Sequence, residues 1–222
     1  MNKACVSEIF KSIQGEGPYR GDAHIFVRFY GCNLGCSFCD TKLIRYQEYD
    51  VDELTHKVCQ YRGCRTVALT GGEPLLQADF IAAFAQRLKS ACLRVYLETN
   101  GILHEALAKV IKYVDTVAMD FKLPSSTGLR HYWLEHEKFL TIARSKEVFV
   151  KTVIGPQTHM ADIWSTIEII TKVDTRTLVV LQPQNPLEAS LDDKISHFER
   201  MLTDHGLTAE IIPQLHKQLR VR

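Results

Sequence analysis

The sequence predicts an α/β fold, a partial (β/α) barrel of about six to seven βα units in which residues 1–222 form a single domain. Segments typical of buried strands alternate along the chain with segments typical of amphipathic helices, which indicates parallel βαβ units. Each strand-like segment ends in a loop rich in glycine, proline or polar residues. The number of units favours an open barrel over a closed one, and a doubly wound sheet is the alternative.

The composition is that of an ordinary soluble globular protein. Of 222 residues, 45% are hydrophobic and 24% are charged, and the formal net charge is +1. This balance gives no bulk electrostatic attraction to nucleic acid or to a membrane surface, so we expect neither as a partner. No apolar run approaches the length of a membrane span, and the polar residues after Met1 do not resemble a signal peptide. We therefore expect a cytoplasmic protein in a reducing compartment.

The first part of the chain is predicted to be a loop followed by a strand. Residues 8–20 include two glycines around Glu16 and then Pro18, a combination typical of loops rather than helices. Residues 24–30 alternate in polarity and are rich in β-branched and aromatic side chains, which predicts the first strand. The strand runs directly into a cysteine-rich loop, at the carboxyl end where α/β folds build their sites.

The later elements follow from the same reasoning. A helix over 51–61 is amphipathic and has Asp50 as a plausible N-cap. Pro74 suits the first turn of the next helix, because its missing N–H has no helical partner there. The predicted helices cover residues 51–61, 75–89, 104–112, 131–143, 160–173 and 191–205. The predicted strands between them cover residues 66–70, 93–98, 116–120, 147–154 and 177–181, with a last apolar segment at 208–212.

Three cysteines, Cys32, Cys36 and Cys39, lie on one short loop at C-x3-C-x2-C spacing. Thiolates at that spacing can converge on one soft metal centre, such as zinc, copper(I) or an iron–sulfur cluster. Three ligands suit a cubane cluster with one iron open for a small molecule, whereas structural zinc usually takes four ligands. A zinc site with a distant fourth ligand and unrelated buried cysteines are the alternatives. A disulfide is disfavoured, because the total of 7 cysteines is odd.

The cysteine spacing is the signature of the radical S-adenosylmethionine (SAM) superfamily, whose members this chain resembles. The loop Gly71-Gly72-Glu73-Pro74 strengthens the resemblance, since the superfamily uses it to hold the amino group of SAM. Glycines there let backbone carbonyls approach a ligand closely. A plain Gly-Gly turn followed by proline is the other interpretation of this loop.

Further motifs resemble those of one family, the 7-carboxy-7-deazaguanine synthases. The specific ones are Gln-Gly-Glu-Gly at 14–17 and Cys-Asp-Thr at 39–41. The more widely shared ones are Arg28, Glu-Thr-Asn-Gly at 98–101, Asp-Phe-Lys-Leu-Pro-Ser-Ser at 120–126, Gln-Pro at 182–183 and Gln-Leu-His-Lys at 214–217. In order, these motifs cover almost the whole chain.

The resemblance implies a radical SAM enzyme with the partial barrel of that superfamily. The family converts 6-carboxy-5,6,7,8-tetrahydropterin to 7-carboxy-7-deazaguanine, with release of ammonia, on the way to queuosine and related 7-deazapurines. It uses a 4Fe–4S cluster, SAM and magnesium, and it is typically a homodimer. An external electron donor, such as flavodoxin or ferredoxin, is also implied.

The resemblance also implies roles for individual residues. Cys32, Cys36 and Cys39 would hold the cluster, and the hydroxyl of Thr41 would bind magnesium, which prefers oxygen ligands. The SAM site would be lined by Phe38, Cys39, Asp40, Gly72, Asp120, Phe121, Lys122, Gln182, Pro183, Gln184 and Asn185. The pterin would contact Ile13, Gln14, Gly15, Arg28 and Thr70.

Two of these roles have alternatives. The guanidinium of Arg28 matches a substrate carboxylate, but the same group could form a salt bridge at the strand end. Thr41 could instead be a helix cap. No role is implied for the basic residues 219–222. None is implied for the remaining cysteines, which are Cys5, Cys59, Cys64 and Cys92.

Two other functions compete with this interpretation. A radical SAM activase that installs a glycyl radical in a partner protein would share the cluster and the Gly-Gly-Glu-Pro loop, but not the Gln-Gly-Glu-Gly loop. A non-catalytic module would hold zinc in the cysteines.

Overall fold

The computed structural model describes residues 3–37, 39, 41, 43–185 and 191–219. Nine strands lie in this part of the chain. They are β1 (Ala4–Ile13), β2 (Ala23–Phe29), β3 (Gln47–Tyr49), β4 (Thr66–Gly71), β5 (Arg94–Thr99), β6 (Thr116–Asp120), β7 (Glu147–Ile154), β8 (Leu178–Pro183) and β9 (Ala209–Ile211). They form one sheet in the order β3-β1-β2-β4-β5-β6-β7-β8-β9.

The sheet is an open, mostly parallel one. Strands β2 and β4 to β9 are parallel and neighbour each other in chain order, whereas β1 pairs antiparallel with β2 and β3. A doubly wound sheet would reverse its strand order at a switch point, and this one does not. The predicted partial barrel is therefore confirmed.

Most of the helices connect successive parallel strands, whereas α1 follows β3 and α8 follows β9. They are α1 (Val51–Cys59), α2 (Ala78–Ser90), α3 (His104–Val110), α4 (Pro124–Thr127), α5 (Trp133–Ala143), α6 (Met160–Val173), α7 (Asp192–Asp204) and α8 (Leu215–Leu219). Asp50 caps α1 as predicted: its Oδ1 accepts from the N–H of Glu53, whose Oε2 accepts from the N–H of Asp50. Pro74 begins a short 3₁₀ turn that leads into α2.

The main hydrophobic core lies between the helices and one face of the sheet. Leu69 and Leu97 from the strands are fully buried there, as are Phe84 and Phe139 from the helices. The other face of the sheet bears a smaller cluster that includes Phe26, Ala68, Tyr96, Ala118, Phe149, Val180 and Ile212. Because successive residues of a strand point to opposite faces, each parallel strand supplies both clusters. No helix in the described part of the chain is long and apolar enough to cross a membrane.

The main correction to the predicted elements concerns the start of the chain. Residues 8–20 were expected to form a loop, but β1 extends to Ile13, and the remainder contains a short 3₁₀ turn at Gly17–Tyr19. Residues 9–13 read Ile-Phe-Lys-Ser-Ile, in which apolar and polar residues do not alternate, so the pattern that signals a strand is absent there. The short elements β3 and α4 were also missed, because three or four residues are too few for a periodic pattern.

Candidate active site

A cavity of about 1270 Å³ lies at the carboxyl ends of the parallel strands, over the aromatic face of the sheet. The structure brings most of the predicted site residues to this one cavity. Those that line it are Ile13, Gln14, Gly15, Arg28, Cys32, Cys36, Cys39, Thr41, Thr70, Gly72, Asp120, Lys122, Gln182, Pro183, Gln184 and Asn185.

Three residues that were predicted to line the SAM site are not among the described residues that line the cavity. Phe121 does not line the cavity, because its ring is buried and stacks on His136 with 4.5 Å between the ring centroids. Only the backbone of Phe121 could therefore contact SAM. Phe38 and Asp40 lie outside the described residues.

The loop that carries Cys32, Cys36 and Cys39, here called the cluster loop, is anchored to α4. The N–H and the hydroxyl of Ser37 each donate to a backbone carbonyl, those of Thr127 and Ser126, at 3.1 Å. Cys32, Cys36 and Cys39 are free cysteines, exposed or half-buried, at the cavity wall. Burial raises the pKa of Cys32 and of Cys36, which favours their neutral thiols, whereas metal ligation requires the thiolates. Three accessible soft donors on one loop fit an iron–sulfur cluster, although no three His, Cys, Asp or Glu side chains in the described residues could hold a metal ion as placed.

The Gly-Gly-Glu-Pro loop packs directly against the cluster loop. A Cβ atom on Gly72 would lie 2.2 Å from the carbonyl oxygen of Gly31 and 2.7 Å from the Cβ of Cys32. The N–H of Glu73 donates to the same Gly31 oxygen at 2.8 Å. Gly72 is thus required by the close approach of the two loops.

Glu73 does not point into the cavity. Its buried carboxylate accepts from the N–H of Leu75, the N–H of Asn100 and the hydroxyl of Thr99 at 2.8–3.1 Å. Burial raises the pKa of Glu73 to about 7, although these hydrogen bonds lower it. Asn100 in turn donates through Nδ2 to Asn33 Oδ1, at 2.8 Å, on the cluster loop. Glu73 therefore connects the loops that follow β2, β4 and β5.

A group of mostly buried charged side chains also lines the cavity. The carboxylate Oδ2 of Asp120 lies 2.9 Å from Lys122 Nζ and 3.1 Å from Lys151 Nζ. Burial would raise the pKa of Asp120, but the ammonium groups of Lys122 and Lys151 outweigh burial and lower it. Asp120 Oδ1 and Gln182 Oε1 are buried and have no hydrogen-bond partner among the described residues. Both oxygens could accept from the hydroxyl or amino groups of a ligand such as SAM.

The Gln-Gly-Glu-Gly loop crosses the ends of several strands. Gln14 donates to Glu98 Oε1 on β5 at 2.8 Å, and Glu16 accepts from Gln182 Nε2 on β8 at 3.3 Å. Glu16 also accepts from Gln214 Nε2, and the N–H of Leu215 donates to the Gly15 carbonyl. The loop is therefore held at the cavity by contacts from far along the chain.

Arg28 forms the salt bridge that was its alternative interpretation. Its Nε lies 3.1 Å from Glu8 Oε2, and its guanidinium carbon lies 5.7 Å from the centre of the Phe10 ring. The side chain is only 23% exposed and still lines the cavity. Thr70 is its register partner on β4, so the two are neighbours at the cavity wall.

The sequence prediction missed Lys151 and Glu98 as residues of the site. Both line the cavity. Lys151 stands among mostly apolar residues of a predicted strand, a position where a charge needs a partner, and that signal was available in the sequence. Glu98 was noted only as part of a motif, because its partner Gln14 is 84 residues away.

Comparison with known proteins shows the superfamily to which the chain belongs. Residues 26–181 match the family model described as the Radical SAM superfamily, so the chain belongs to that superfamily. The 7-carboxy-7-deazaguanine synthase of Geobacter sulfurreducens is 34% identical, in a match that covers 96% of this chain and 95% of that protein. The one from Archaeoglobus fulgidus is also 34% identical, over 99% of this chain and 100% of that protein.

The particular family follows from these relatives: the chain belongs to the 7-carboxy-7-deazaguanine synthase family. The crystal structure of QueE from Escherichia coli has the same fold, with a TM-score of 0.67 and 20% identity. That match covers 96% of this chain and 95% of the other.

Proposed function

We propose that this protein converts 6-carboxy-5,6,7,8-tetrahydropterin to 7-carboxy-7-deazaguanine, with release of ammonia, in the biosynthesis of queuosine and related 7-deazapurines. The observation that supports this most strongly is that one cavity joins the three cluster cysteines to the residues expected to bind pterin. The 34% identity to named synthases over nearly the full length agrees with it.

The cofactors of this reaction are a 4Fe–4S cluster on Cys32, Cys36 and Cys39, and SAM. When bound, they would supply the radical chemistry that removes a hydrogen atom from the substrate. The chain's own residues orient the two ligands. Asp120 Oδ1 and Gln182 Oε1 accept hydrogen bonds from SAM, while Gly72 lets its loop pack directly against the loop that carries the cluster cysteines.

The pterin lies over the aromatic face of the sheet. Phe10 and Phe26 stack there with 5.1 Å between their ring centroids, and both line the cavity. This apolar wall excludes water from the reacting ring. Arg28 binds the substrate carboxylate, and Ile13, Gln14, Gly15 and Thr70 hold the rest of the pterin.

Magnesium binds through the hydroxyl of Thr41. Thr41 lines the same cavity, and its carbonyl lies 3.7 Å from the thiol sulfur of Cys39. No helical turn occurs in the described residues 43–46, so nothing there supports the helix-cap alternative. Substrate oxygens and waters would be the remaining ligands, since magnesium prefers oxygen donors.

The working form is a cytoplasmic homodimer that takes electrons from an external donor such as flavodoxin or ferredoxin. Sedimentation of the purified protein measures the mass of the assembly. Reduction of the cluster by each donor is followed by the loss of its visible absorption.

An anaerobic assay tests the proposed function. The reconstituted enzyme is mixed with the carboxytetrahydropterin, SAM, magnesium and a reductant, and 7-carboxy-7-deazaguanine and ammonia are measured. The Cys36→Ala variant is the negative control, and Cys59→Ala, at an exposed cysteine outside the cavity, is the positive one. SAM cleavage without any pterin product would favour a glycyl-radical activase. A zinc-loaded, colourless protein would favour the non-catalytic module.

A further inference from the structure

Lys151 is a charged residue in the middle of a central strand. It belongs to β7, which is paired on one side with β6 and on the other with β8. A charge in the interior of a sheet is costly unless a partner compensates it. Neither the SAM contacts nor the pterin contacts proposed above use this residue.

Two carboxylates from distant parts of the chain meet at its ammonium group. Lys151 Nζ lies 3.1 Å from Asp120 Oδ2 and 2.5 Å from Glu16 Oε2. Asp120 is also the register partner of Lys151 on the neighbouring strand. The three side chains are 12–22% exposed, so solvent screens these pairs only in part. One ammonium group thus joins the predicted SAM site to the Gln-Gly-Glu-Gly loop.

Glu16 also holds its loop in place through further hydrogen bonds. Its other oxygen, Oε1, accepts from Gln182 Nε2 on β8 and from Gln214 Nε2 near the end of the described chain. The N–H of Leu215 donates to the neighbouring Gly15 carbonyl at 2.8 Å. The position of Glu16 therefore determines where the loop lies relative to the strand ends.

Lys151 supplies positive charge that the carboxylates of this cluster need. Asp120 and Glu16 both contact its ammonium group, Glu98 also acts on it electrostatically, and Lys122 pairs with Asp120. Without Lys151 these carboxylates would face each other with less positive charge between them, and like charges in a poorly solvated site repel. Glu16 is on a loop and Asp120 is on a strand, so Glu16 would be the one to move.

We propose that Lys151 is a positioning residue that couples the two halves of the active site. Its ammonium group holds Glu16, and with it the Gln-Gly-Glu-Gly loop, against Asp120. The effect on pterin binding rests on the function proposed above, whereas the effect on the loop does not.

Hydrogen exchange of the protein without ligands tests the effect on the loop. The variants are Lys151→Met, Lys151→Arg and Glu16→Gln. We expect the amides of Glu16 and Leu215 to exchange about tenfold faster in Lys151→Met and Glu16→Gln, and within about threefold of the parent in Lys151→Arg, which keeps the charge.

A matched control is Lys172→Met, which removes a surface lysine 67% exposed and 2.7 Å from Glu137. It should leave the loop amides unchanged. Unchanged loop exchange in Lys151→Met would overturn the proposal, and so would equal acceleration throughout the central strands, which would indicate general destabilisation.

Titration with the pterin tests the coupling itself. Lys151→Met and Glu16→Gln should each weaken pterin binding by about tenfold, equivalent to about 1.4 kcal/mol. The double variant should be no weaker than either single one, because both changes break the same link. Additive losses would show that Lys151 acts independently of Glu16 and would refute the coupling. If the parent binds no pterin, the proposed function fails, while the exchange result still decides the role of Lys151.

Discussion

Replacing Glu73 with glutamine tests how the loops around the cluster are held together. The carboxylate accepts from the backbone N–H of Leu75 through one oxygen and of Asn100 through the other. A glutamine has only one acceptor oxygen, so its amide group must face one of these donors. A buried donor without a partner costs about 1–3 kcal/mol.

The second effect of the Glu73 substitution depends on pH. The pKa of Glu73 is raised by burial from an ordinary value of 4.5 to about 7 in the folded protein. Because the folded-state pKa is the higher one, the carboxyl contributes stability that is fully present below pH 4.5 and is lost as the pH rises through about 7. Between about pH 5.5 and about pH 8 this loss amounts to about 2 kcal/mol. Glutamine does not titrate and shows no such loss.

Urea unfolding of the ligand-free parent and of Glu73→Gln, at these two pH values under reducing conditions, measures both effects. We expect the parent to have the larger free energy of unfolding at the lower pH. At the higher pH its advantage over Glu73→Gln should be smaller by about 2 kcal/mol. Glu105→Gln, on an exposed position of α3, is the control and should show no such shift. The reasoning is refuted if the difference between parent and Glu73→Gln is the same at both pH values.

Four further outcomes are expected. Cys36→Ala should lose bound iron and release of 5′-deoxyadenosine, both of which are measured after anaerobic reconstitution; retention of both would remove it from the ligand set. Arg28→Ala should weaken pterin binding by about 1.5–3 kcal/mol, the value of a hydrogen bond to a charged group, with SAM affinity unchanged in the same titrations; equal pterin affinity would make Arg28 structural. Thr41→Val should abolish the magnesium dependence of turnover, and a parent-like dependence would end its metal assignment. Burial lowers the pKa of His136 to about 4, so the parent loses stability as the pH falls below 6.5. The free energy of unfolding of His136→Phe, relative to that of the parent, should therefore rise by about 2–3 kcal/mol from about pH 7 to about pH 4.5. A constant difference would contradict this.

Local sequence patterns were sufficient to predict the parallel strands and the edge of the sheet at which the cavity lies. Each parallel strand is a short run of apolar residues with a clear loop after it, and parallel strands place those loops at one edge. That is why most of the predicted ligand-binding residues line one cavity. The end of strand β1 was missed because residues 9–13, Ile-Phe-Lys-Ser-Ile, do not alternate in polarity.

Side-chain pairing could not be predicted in the same way. The partner of Lys151 on the Gln-Gly-Glu-Gly loop is 135 residues away, and that of Glu73 on the next loop is 27 residues away. A single sequence shows that a buried charge needs a partner, but not which residue provides it. The salt bridge between Arg28 and Glu8 was foreseen as a possibility for the same reason, without its partner.

The position of the cluster loop depends on its neighbours more than on its own sequence. Apart from the turn between Cys36 and Cys39, the loop makes few hydrogen bonds within itself among the described residues, yet both of its flanks are held from outside. Glu73 binds the carbonyl of Gly31 through its N–H and the N–H of Asn100 through its carboxylate, and Asn100 then binds Asn33. These contacts form a closed ring across the loops after β2, β4 and β5. A short loop with three metal ligands can therefore be positioned before any cluster is bound, because strands on either side have already determined where it begins.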